Sequence, residues 1–175
     1  RLHRGRPEGC SAEKGDCIMI VYHGSNQEIR KPDCVHSRKK VDFGVGFYVT
    51  PLQEQANHWS EKFKRQGESA IVSQYELNDL AFEQYKVLKF DAYNGEWLDF
   101  VFACRKGNDP GEYDIIMGGV ANDRVFDTIN LYFDGLISKE EALGRLKYFG
   151  PSYQICIKRQ EVLDQFLTFI RSETL

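Results

Sequence analysis

The sequence predicts one α+β domain, on three observations. A chain of 175 residues with a hydrophobic content of 42% can bury one sizeable core but is too short for two ordinary domains. Short apolar or alternating runs, typical of strands, are interspersed with stripes of helical period. These elements follow neither a regular strand–helix–strand repeat nor an internal period of about 20 to 50 residues, which excludes a parallel α/β fold and a solenoid.

The first half of the chain predicts a strand, a helix and two more strands. Residues 18–21 are all apolar and are expected to form a buried strand. Thr50, Pro51 and Gln53 offer an N-cap, a first helical residue and a capping-box glutamine. The helix should end at Gly67 and should pack rather than catalyse. Its apolar stripe consists of Leu52, Ala56, Trp59 and Phe63. Further strands are predicted at residues 71–77 and 85–90.

The second half of the chain continues with helices and strands in turn. Residues 96–104 place Trp97 among apolar residues at helical intervals, so tryptophan is expected in the core. Ser138 opens a short helix with a capping box, and residues 150–151, Gly-Pro, should end it. The other helices are predicted at residues 122–133 and 162–170, and the strands at residues 114–117 and 153–157.

Composition limits the partners. Residues 1–16 hold almost no apolar side chain and are predicted to be a flexible extension before a domain at residues 17–175. The net charge of −3 gives no reason to expect a nucleic acid partner. No apolar run approaches the roughly 20 residues of a membrane span, and no signal segment is apparent. A soluble chain without a membrane partner is therefore expected.

The cysteine pattern predicts neither a disulfide framework nor a metal site. The cysteines are Cys10, Cys17, Cys34, Cys104 and Cys156. Their number is odd and their contexts differ, so buried or idle thiols are expected. Cys34 and His36 are close in sequence, but no second ligand pair has matching spacing.

Two short glycine-containing motifs are the most informative feature. Residues 22–25 read Tyr-His-Gly-Ser, and residues 42–50 read Asp-Phe-Gly-Val-Gly-Phe-Tyr-Val-Thr. Gly24 follows the first strand where a backbone must come close to a ligand. The glycines of the second motif allow a tight turn, which would present Tyr48 face-on beside His23.

Together with residues 113–123 and 154–157, these motifs resemble the DUF3990 family, which is similar to ADP-ribosyltransferases of the His-Tyr-Glu (diphtheria-toxin-like) type. The similarity runs from about residue 18 to the C-terminus. It implies a split, twisted β-sheet core with NAD+ in the cleft between the halves, used as a co-substrate without a metal. It also implies a bacterial or phage origin and an effector-like role, in the bacterial cytoplasm or after secretion.

By this resemblance, each cleft residue would contact a different part of NAD+. His23 would hydrogen-bond the adenosine ribose, Gly24 would meet the nicotinamide carboxamide through its main chain, and Tyr48 would stack on the nicotinamide ring. Arg38 would meet the pyrophosphate, whereas Lys39 and Lys40 read as solvated charges. The full expected cofactor-binding set is His23, Gly24, Ser25, Arg38, Gly46, Tyr48, Asn122 and Asp123. For Asn122 and Asp123, helix capping is an equally good interpretation.

The third catalytic position, after His23 and Tyr48, is expected at Gln154, where the wider superfamily has glutamate. A neutral amide stabilises a cationic sugar less than a carboxylate does, although it still hydrogen-bonds a hydroxyl. If charge is what this position lacks, Gln154→Glu should raise turnover; if the native glutamine positions the acceptor, the substitution should lower transfer and leave hydrolysis. The expected activity is mono-ADP-ribosyl transfer from NAD+ to an unidentified protein acceptor. NAD glycohydrolase activity, and an NAD-binding or partner-binding module without catalysis, remain the alternatives.

Overall fold

The computed structural model describes residues 17–149 and 152–175 and divides them among seven strands and six helices. The strands are β1 (Ile18–Ser25), β2 (Phe47–Val49), β3 (Ile71–Asn78), β4 (Val87–Lys89), β5 (Ile115–Gly118), β6 (Gln154–Ile157) and β7 (Leu167–Thr174). The helices are α1 (Gln53–Arg65), α2 (Ala81–Gln84), α3 (Gly95–Arg105), α4 (Asp123–Phe133), α5 (Lys139–Leu146) and α6 (Gln160–Phe166). This mixture confirms the predicted α+β class. The extension predicted at residues 1–16 lies outside the described residues.

The strands form two sheets that meet at one short seam. In the first sheet, β3 lies between β1 and β7, and both pairs are antiparallel. In the second sheet the order is β2, β6, β5, β4, with β4 and β5 parallel and the other pairs antiparallel. Tyr22 of β1 and Thr50, just beyond β2, join the sheets. Each donates its main-chain N–H to the carbonyl oxygen of the other, at 2.8 and 2.9 Å.

Two hydrophobic cores cover opposite faces of the second sheet. Because side chains alternate across a strand, Ile155 and Ile157 of β6 face the first core, whereas Cys156 faces the second. The first core also holds Val21 and Tyr75 of the first sheet. The second core is closed by α3, α4 and α5 through Trp97, Leu98, Val101, Val125, Ile129, Ala142 and Leu146. The seam therefore lies beside the first core, and the far face of β6 belongs to the second.

The predicted caps of two helices are confirmed. Asn122 and Ser138 each accept, through a side-chain oxygen, the main-chain N–H three residues later at 3.1 Å. Such bonds satisfy N–H groups that have no partner within the helix. Gly67 follows α1 with a φ of 78°, a conformation that favours glycine. The end predicted at residues 150–151 for the helix that Ser138 opens lies outside the described residues.

The predicted start of α1 is wrong. The helix begins at Gln53, and Leu52 occupies the N-cap position without a side-chain hydrogen bond. Thr50 does not serve as the cap because its main chain pairs with Tyr22 at the seam. Its hydroxyl oxygen instead accepts the N–H of Leu52 at 3.1 Å, which turns the chain from the seam into the helix.

The helix predicted at residues 162–170 is correct only in its first half. α6 ends at Phe166, and the chain continues as β7, which pairs with β3 along the free side of the first sheet. Leu167 and Phe169 pack against the first core. Tertiary pairing therefore overrides the helical spacing of Leu163, Phe166, Leu167 and Ile170, because aromatic and β-branched residues of this segment also suit a strand.

β1 is half exposed rather than fully buried as expected. Val21 is inaccessible to solvent, but Ile18 and Ile20 on the opposite face are 54% and 36% exposed. An edge strand of an antiparallel sheet commonly keeps one face in solvent. None of the helices within residues 17–149 and 152–175 combines the length and apolar character that crossing a lipid bilayer requires.

The cysteines differ from the expectation at one position. Cys34, Cys104 and Cys156 are free and buried, as expected. Cys17, in contrast, is disulfide-bonded. Burial raises the pKa of the Cys104 and Cys156 thiols to about 12, so both remain protonated and unreactive near neutral pH.

Candidate functional site

The seam between the two sheets opens next to the Tyr22–Thr50 pair, on the side of Gly24 in β1 and of Tyr48 in β2. No further ladder pair joins β1 to β2 among the residues that the structure describes. Main-chain groups alternate in direction along a strand, so the N–H and C=O of Gly24 point the same way as those of Tyr22, away from β3. By the same alternation, the N–H and C=O of Tyr48 point toward β1. The opening is thus lined by main-chain donors and acceptors.

A cavity of about 640 Å³ lies at this opening, and we call it the seam cleft. Its wall includes His23, Ser25, Ser37, Gly46, Phe47 and Tyr48. Gly46 donates its N–H to the Ser37 hydroxyl at 2.9 Å, which fixes the loop before β2. The structure therefore brings together four residues of the predicted set, His23, Ser25, Gly46 and Tyr48, at one cavity.

His23 is anchored at the seam and is neutral. Its Nδ1 lies 2.6 Å from the carbonyl oxygen of Tyr48, and its ring stacks on Phe47 with centroids 4.5 Å apart. A carbonyl only accepts, so Nδ1 carries the proton and Nε2 is left as an acceptor. Burial, reinforced by the positive charge of Lys62, lowers the pKa of His23 despite the bond to Tyr48. Nε2 has no protein hydrogen-bond partner within the described residues.

Gly24 has a structural explanation as well as a functional one. A Cβ at this position would lie within 3.0 Å of the main-chain oxygen of Ala56 and meet the N–H of Ser60 at 3.0 Å. Both atoms belong to α1, which therefore packs directly on the backbone of β1. Glycine is required here because the helix would otherwise be pushed off the strand next to the seam.

The aromatic ring beside His23 is that of Phe47, which corrects the expectation for Tyr48. Tyr48 contacts His23 through its carbonyl oxygen, and its own ring packs against the second core on the opposite face of β2. Its hydroxyl donates to the carbonyl of Gly44 at 2.5 Å and accepts the N–H of Phe43 at 3.1 Å. Burial raises the pKa of the Tyr48 phenol, so it remains a donor. The alternation of side chains across β2 separates the two rings.

Lys62 places positive charge near His23, and Arg38 places positive charge near Lys62. Lys62 is close enough to both His23 and Arg38 for their electrostatic interactions to matter, and burial together with Arg38 lowers the pKa of Lys62. Neither cation takes part in a salt bridge within residues 17–149 and 152–175. The Lys62 ammonium also lies over the Phe63 ring, 4.8 Å from its centroid. Two neighbouring cations without a carboxylate partner in the described residues form a binding point for an anion.

Gln154 lies in a buried polar network on the second-core side of β6. Its Nε2 donates to Asp42 Oδ2 at 3.0 Å and to the carbonyl oxygen of Gly119 at 3.3 Å. Gln154 lies on the same face of β6 as Cys156, and Cys156 pairs with Tyr48 in the ladder. Gln154 and Tyr48 are therefore diagonal neighbours on one face of the second sheet, whereas the His23 ring lies on the other.

A second cavity, of about 670 Å³, adjoins this network, and we call it the α1 cavity. Its wall includes Gln55, His58 and Trp59 of α1 together with Ala121, Asn122 and Ser152. Asn122 thus faces a cavity and caps α4 at the same time. The side chain of Asp123 is outside the described part of the structure.

Sequence reasoning misses the contributions of α1. The sequence predicts only a packing role for Trp59, yet it lines the α1 cavity, and Lys62 has no predicted role although it lies near His23. One signal is present: α1 begins directly after the second motif, so its residues return to the seam. The contact of α1 with Gly24 depends on the tertiary packing and cannot be predicted from helical spacing.

Comparison with known proteins identifies the family of this chain but not its activity. No curated protein and no solved structure is significantly similar to the chain. The model of the family described as "Protein of unknown function (DUF3990)" matches residues 19–169, which include both motifs, β6 and Gln154. The chain belongs to the DUF3990 family.

Proposed function

We propose that the chain is a mono-ADP-ribosyltransferase that binds NAD+ at the seam, releases nicotinamide and transfers ADP-ribose to a protein side chain. The observation that carries this proposal is that a neutral His23 lies beside Gly24, and that neither Nε2 of His23 nor the main-chain N–H and C=O of Gly24 has a hydrogen-bond partner among residues 17–149 and 152–175. A ribose hydroxyl donates to Nε2. A carboxamide has one donor and one acceptor side, which matches the N–H and C=O of a single residue.

The charge distribution supports a dinucleotide rather than a neutral ligand. The pyrophosphate of NAD+ carries two negative charges, and Arg38 and Lys62 offer two cations without a protein counter-ion in the described residues. Arg38 provides a planar donor fork and Lys62 a point charge. Lys62 acts on His23 and Arg38 acts on Lys62, so phosphates held by Lys62 would be adjacent to the ribose that His23 binds.

Aromatic surface for the nicotinamide is available from α1. Trp59 supplies a partly exposed indole there, whereas the Tyr48 ring that the family resemblance implies packs against the second core. α1 is packed on Gly24, so an aromatic side chain of this helix lies on the same strand-and-helix unit as the proposed carboxamide contact. Stacking on such rings stabilises a flat heterocycle.

The reaction breaks the bond between the nicotinamide nitrogen and C1′ of the ribose. The bonding pair moves to the pyridinium nitrogen, neutral nicotinamide leaves, and the sugar develops an oxocarbenium charge. The acceptor nucleophile then adds its lone pair to C1′ and loses its proton to solvent or to a neighbouring base. Gln154 would contribute a carbonyl dipole, which accepts a ribose hydroxyl and stabilises the cation more weakly than a carboxylate.

The neutral Gln154 also favours a second candidate, an NAD-binding module without turnover. Its amide nitrogen donates hydrogen bonds to Asp42 and to the carbonyl oxygen of Gly119, so the side chain is held in one orientation. A fixed, neutral amide suits ligand binding as well as catalysis. A glycohydrolase, with water as the acceptor, would use the same residues. These candidates differ in products, so one experiment separates them.

The experiment is incubation of the purified chain with NAD+, alone and with cell lysate proteins, followed by intact-mass spectrometry and quantification of nicotinamide. Mass increases equal to ADP-ribose together with nicotinamide release support transfer. Nicotinamide release without adducts indicates a glycohydrolase, and NAD+ binding without release indicates a binding module. Absence of both NAD+ binding and release contradicts the proposal.

A further inference from the structure

Asp42 is the centre of a buried hydrogen-bond network behind the proposed third catalytic position. Its side chain is 9% exposed and accepts four hydrogen bonds. Arg105 donates to Oδ1 from Nε at 3.0 Å and from Nη2 at 2.5 Å. The N–H of Ala121 donates to Oδ2 at 2.8 Å, and Nε2 of Gln154 donates to the same oxygen at 3.0 Å. The carboxylate is thus fully satisfied as an acceptor.

This network fixes the orientation of the Gln154 amide. A carboxylate and a carbonyl oxygen both only accept, so Asp42 and Gly119 must face the nitrogen of the amide and not its oxygen. Oε1 of Gln154 accepts no hydrogen bond from the described residues and is not fully enclosed. The amide therefore turns its hydrogen-bond acceptor away from Asp42 and from the Gly119 carbonyl.

We propose that Asp42 is a positioning residue that holds the Gln154 amide with Oε1 free to accept a hydroxyl of the bound ligand, and that its buried charge requires a neutral side chain at position 154. The identification of that ligand as the ribose of NAD+ rests on the proposed function. The orientation and the need for neutrality rest only on the hydrogen bonds of Asp42.

The charge of Asp42 changes the expected result of Gln154→Glu. A second carboxylate 3.0 Å from Asp42 would repel it and would lack the proton that Gln154 donates. Arg105 already donates to Asp42 and balances only one negative charge. Adding charge at position 154 would therefore destabilise the domain before it could assist catalysis.

The first test is a double-mutant cycle on thermal unfolding near pH 8. Gln154→Glu is expected to lower the melting temperature by roughly 10 °C in the native background, and by less than about half as much in the Asp42→Asn background. Asp99→Asn is the matched control, because Asp99 is exposed and pairs with Lys139 elsewhere. It removes the same charge but should leave the effect of Gln154→Glu unchanged. Equal losses in all three backgrounds, or no loss at all, would overturn the proposal.

A pH series separates charge repulsion from altered packing. When the carboxyl group introduced by Gln154→Glu is protonated, it again donates to Asp42, so the deficit of this variant should shrink on acidification. Gln154→Met, which has similar size and no charge, should show a deficit that does not depend on pH. Among the described residues, the other titratable or charged groups at this site are Arg105 and Cys104 from α3, Tyr48 from β2, Cys156 from β6 and Tyr93 from the segment before α3. Burial raises the pKa of both tyrosines and of both thiols, so none of these four groups changes charge on acidification.

Activity measurements test the positioning role itself. Asp42→Asn is expected to lower kcat by about tenfold while the KM for NAD+ changes less than about twofold, because the misplaced group acts on the reacting sugar rather than on overall binding. If Asp42→Asn loses stability but keeps the native kcat, Asp42 has only a structural role and its positioning role is overturned. If the native protein neither binds nor cleaves NAD+, the proposed function fails, and the thermal cycle alone decides whether Asp42 constrains Gln154.

Discussion

Nδ1 of His23 lies 2.6 Å from the carbonyl oxygen of Tyr48, so the first glycine-containing motif donates a hydrogen bond to the second across the opening between the sheets. This bond compensates for the missing ladder pair where β1 and β2 separate. It also decides which imidazole nitrogen is free. The same contact therefore closes the seam and leaves Nε2 as the acceptor that the proposed ligand needs.

His23→Ala is expected to reduce NAD+ turnover by about 100-fold or more while the protein stays folded. The substitution removes both the acceptor for the ribose hydroxyl and the bond that orients the seam. Steady-state nicotinamide release, with circular dichroism to confirm folding, measures the effect. Gln74→Ala, in the same sheet but lining neither cavity, is the control and should retain activity. Equal turnover by His23→Ala and the native protein would exclude the seam as the site.

Stability should fall as the pH is lowered through the titration range of histidine. The folded protein holds His23 neutral with a pKa below its ordinary value of 6.5, whereas the unfolded chain binds the proton at about that value. The contribution of His23 is therefore fully present above pH 6.5 and is lost as the pH falls toward the lower, folded-state pKa.

Urea unfolding between pH 8 and pH 5 measures this contribution. The native protein should lose more stability over this range than His23→Gln, which has no proton to bind. Parallel curves for the two proteins would contradict a depressed pKa at His23. The difference should level off once the folded state is also protonated.

Gly24→Ala is expected to destabilise the domain by about 2 kcal/mol or more, because the added methyl group overlaps the backbone of α1. Gly144→Ala is the matched control: Gly144 lies within α5 and has open space around it, so alanine should stabilise the helix by about 0.5 to 1 kcal/mol. Chemical denaturation gives both free energies of unfolding. A neutral Gly24→Ala would show that α1 does not pack on β1 as described.

Lys62→Ala and Arg38→Ala should each weaken NAD+ binding by about tenfold and reduce its dependence on salt. Lys64→Ala, two residues further along α1 and exposed, should leave the affinity unchanged. Isothermal titration at two ionic strengths measures both quantities. If adenosine, which lacks the pyrophosphate, loses as much affinity as NAD+ in these variants, the cations do not contact the phosphates.

Local chemistry is sufficient to predict most elements of the fold. The caps at Asn122 and Ser138 are predictable because each depends on contacts within four residues. The strand β7 is not, because Leu163, Phe166, Leu167 and Ile170 have helical spacing while Leu167 and Phe169 have strand spacing, and only the free edge of β3 decides between them. Likewise, Thr50 is an acceptable N-cap by type, but its main chain is needed at the seam.

Prediction of the candidate site from local sequence patterns has the same limit. Motif spacing brings His23 and Tyr48 together correctly, since both lie next to the seam. The face on which each ring lies is not predictable from the motif, because it depends on which side of β2 meets each core. The role of Asp42 also needs the fold, since Gln154 is 112 residues away in the chain.

The two tryptophans allow NAD+ binding to be observed directly. Trp97 is fully buried and donates to the carbonyl oxygen of Gly119, whereas Trp59 is partly exposed at the α1 cavity. Nicotinamide stacked on Trp59 should quench its fluorescence, so titration with NAD+ is expected to lower the emission of the native protein. Trp59→Phe should abolish the quenching but bind NAD+ with an affinity within about threefold, because phenylalanine still offers an aromatic face. Quenching that survives in Trp59→Phe would place the nicotinamide away from α1 and contradict stacking on Trp59.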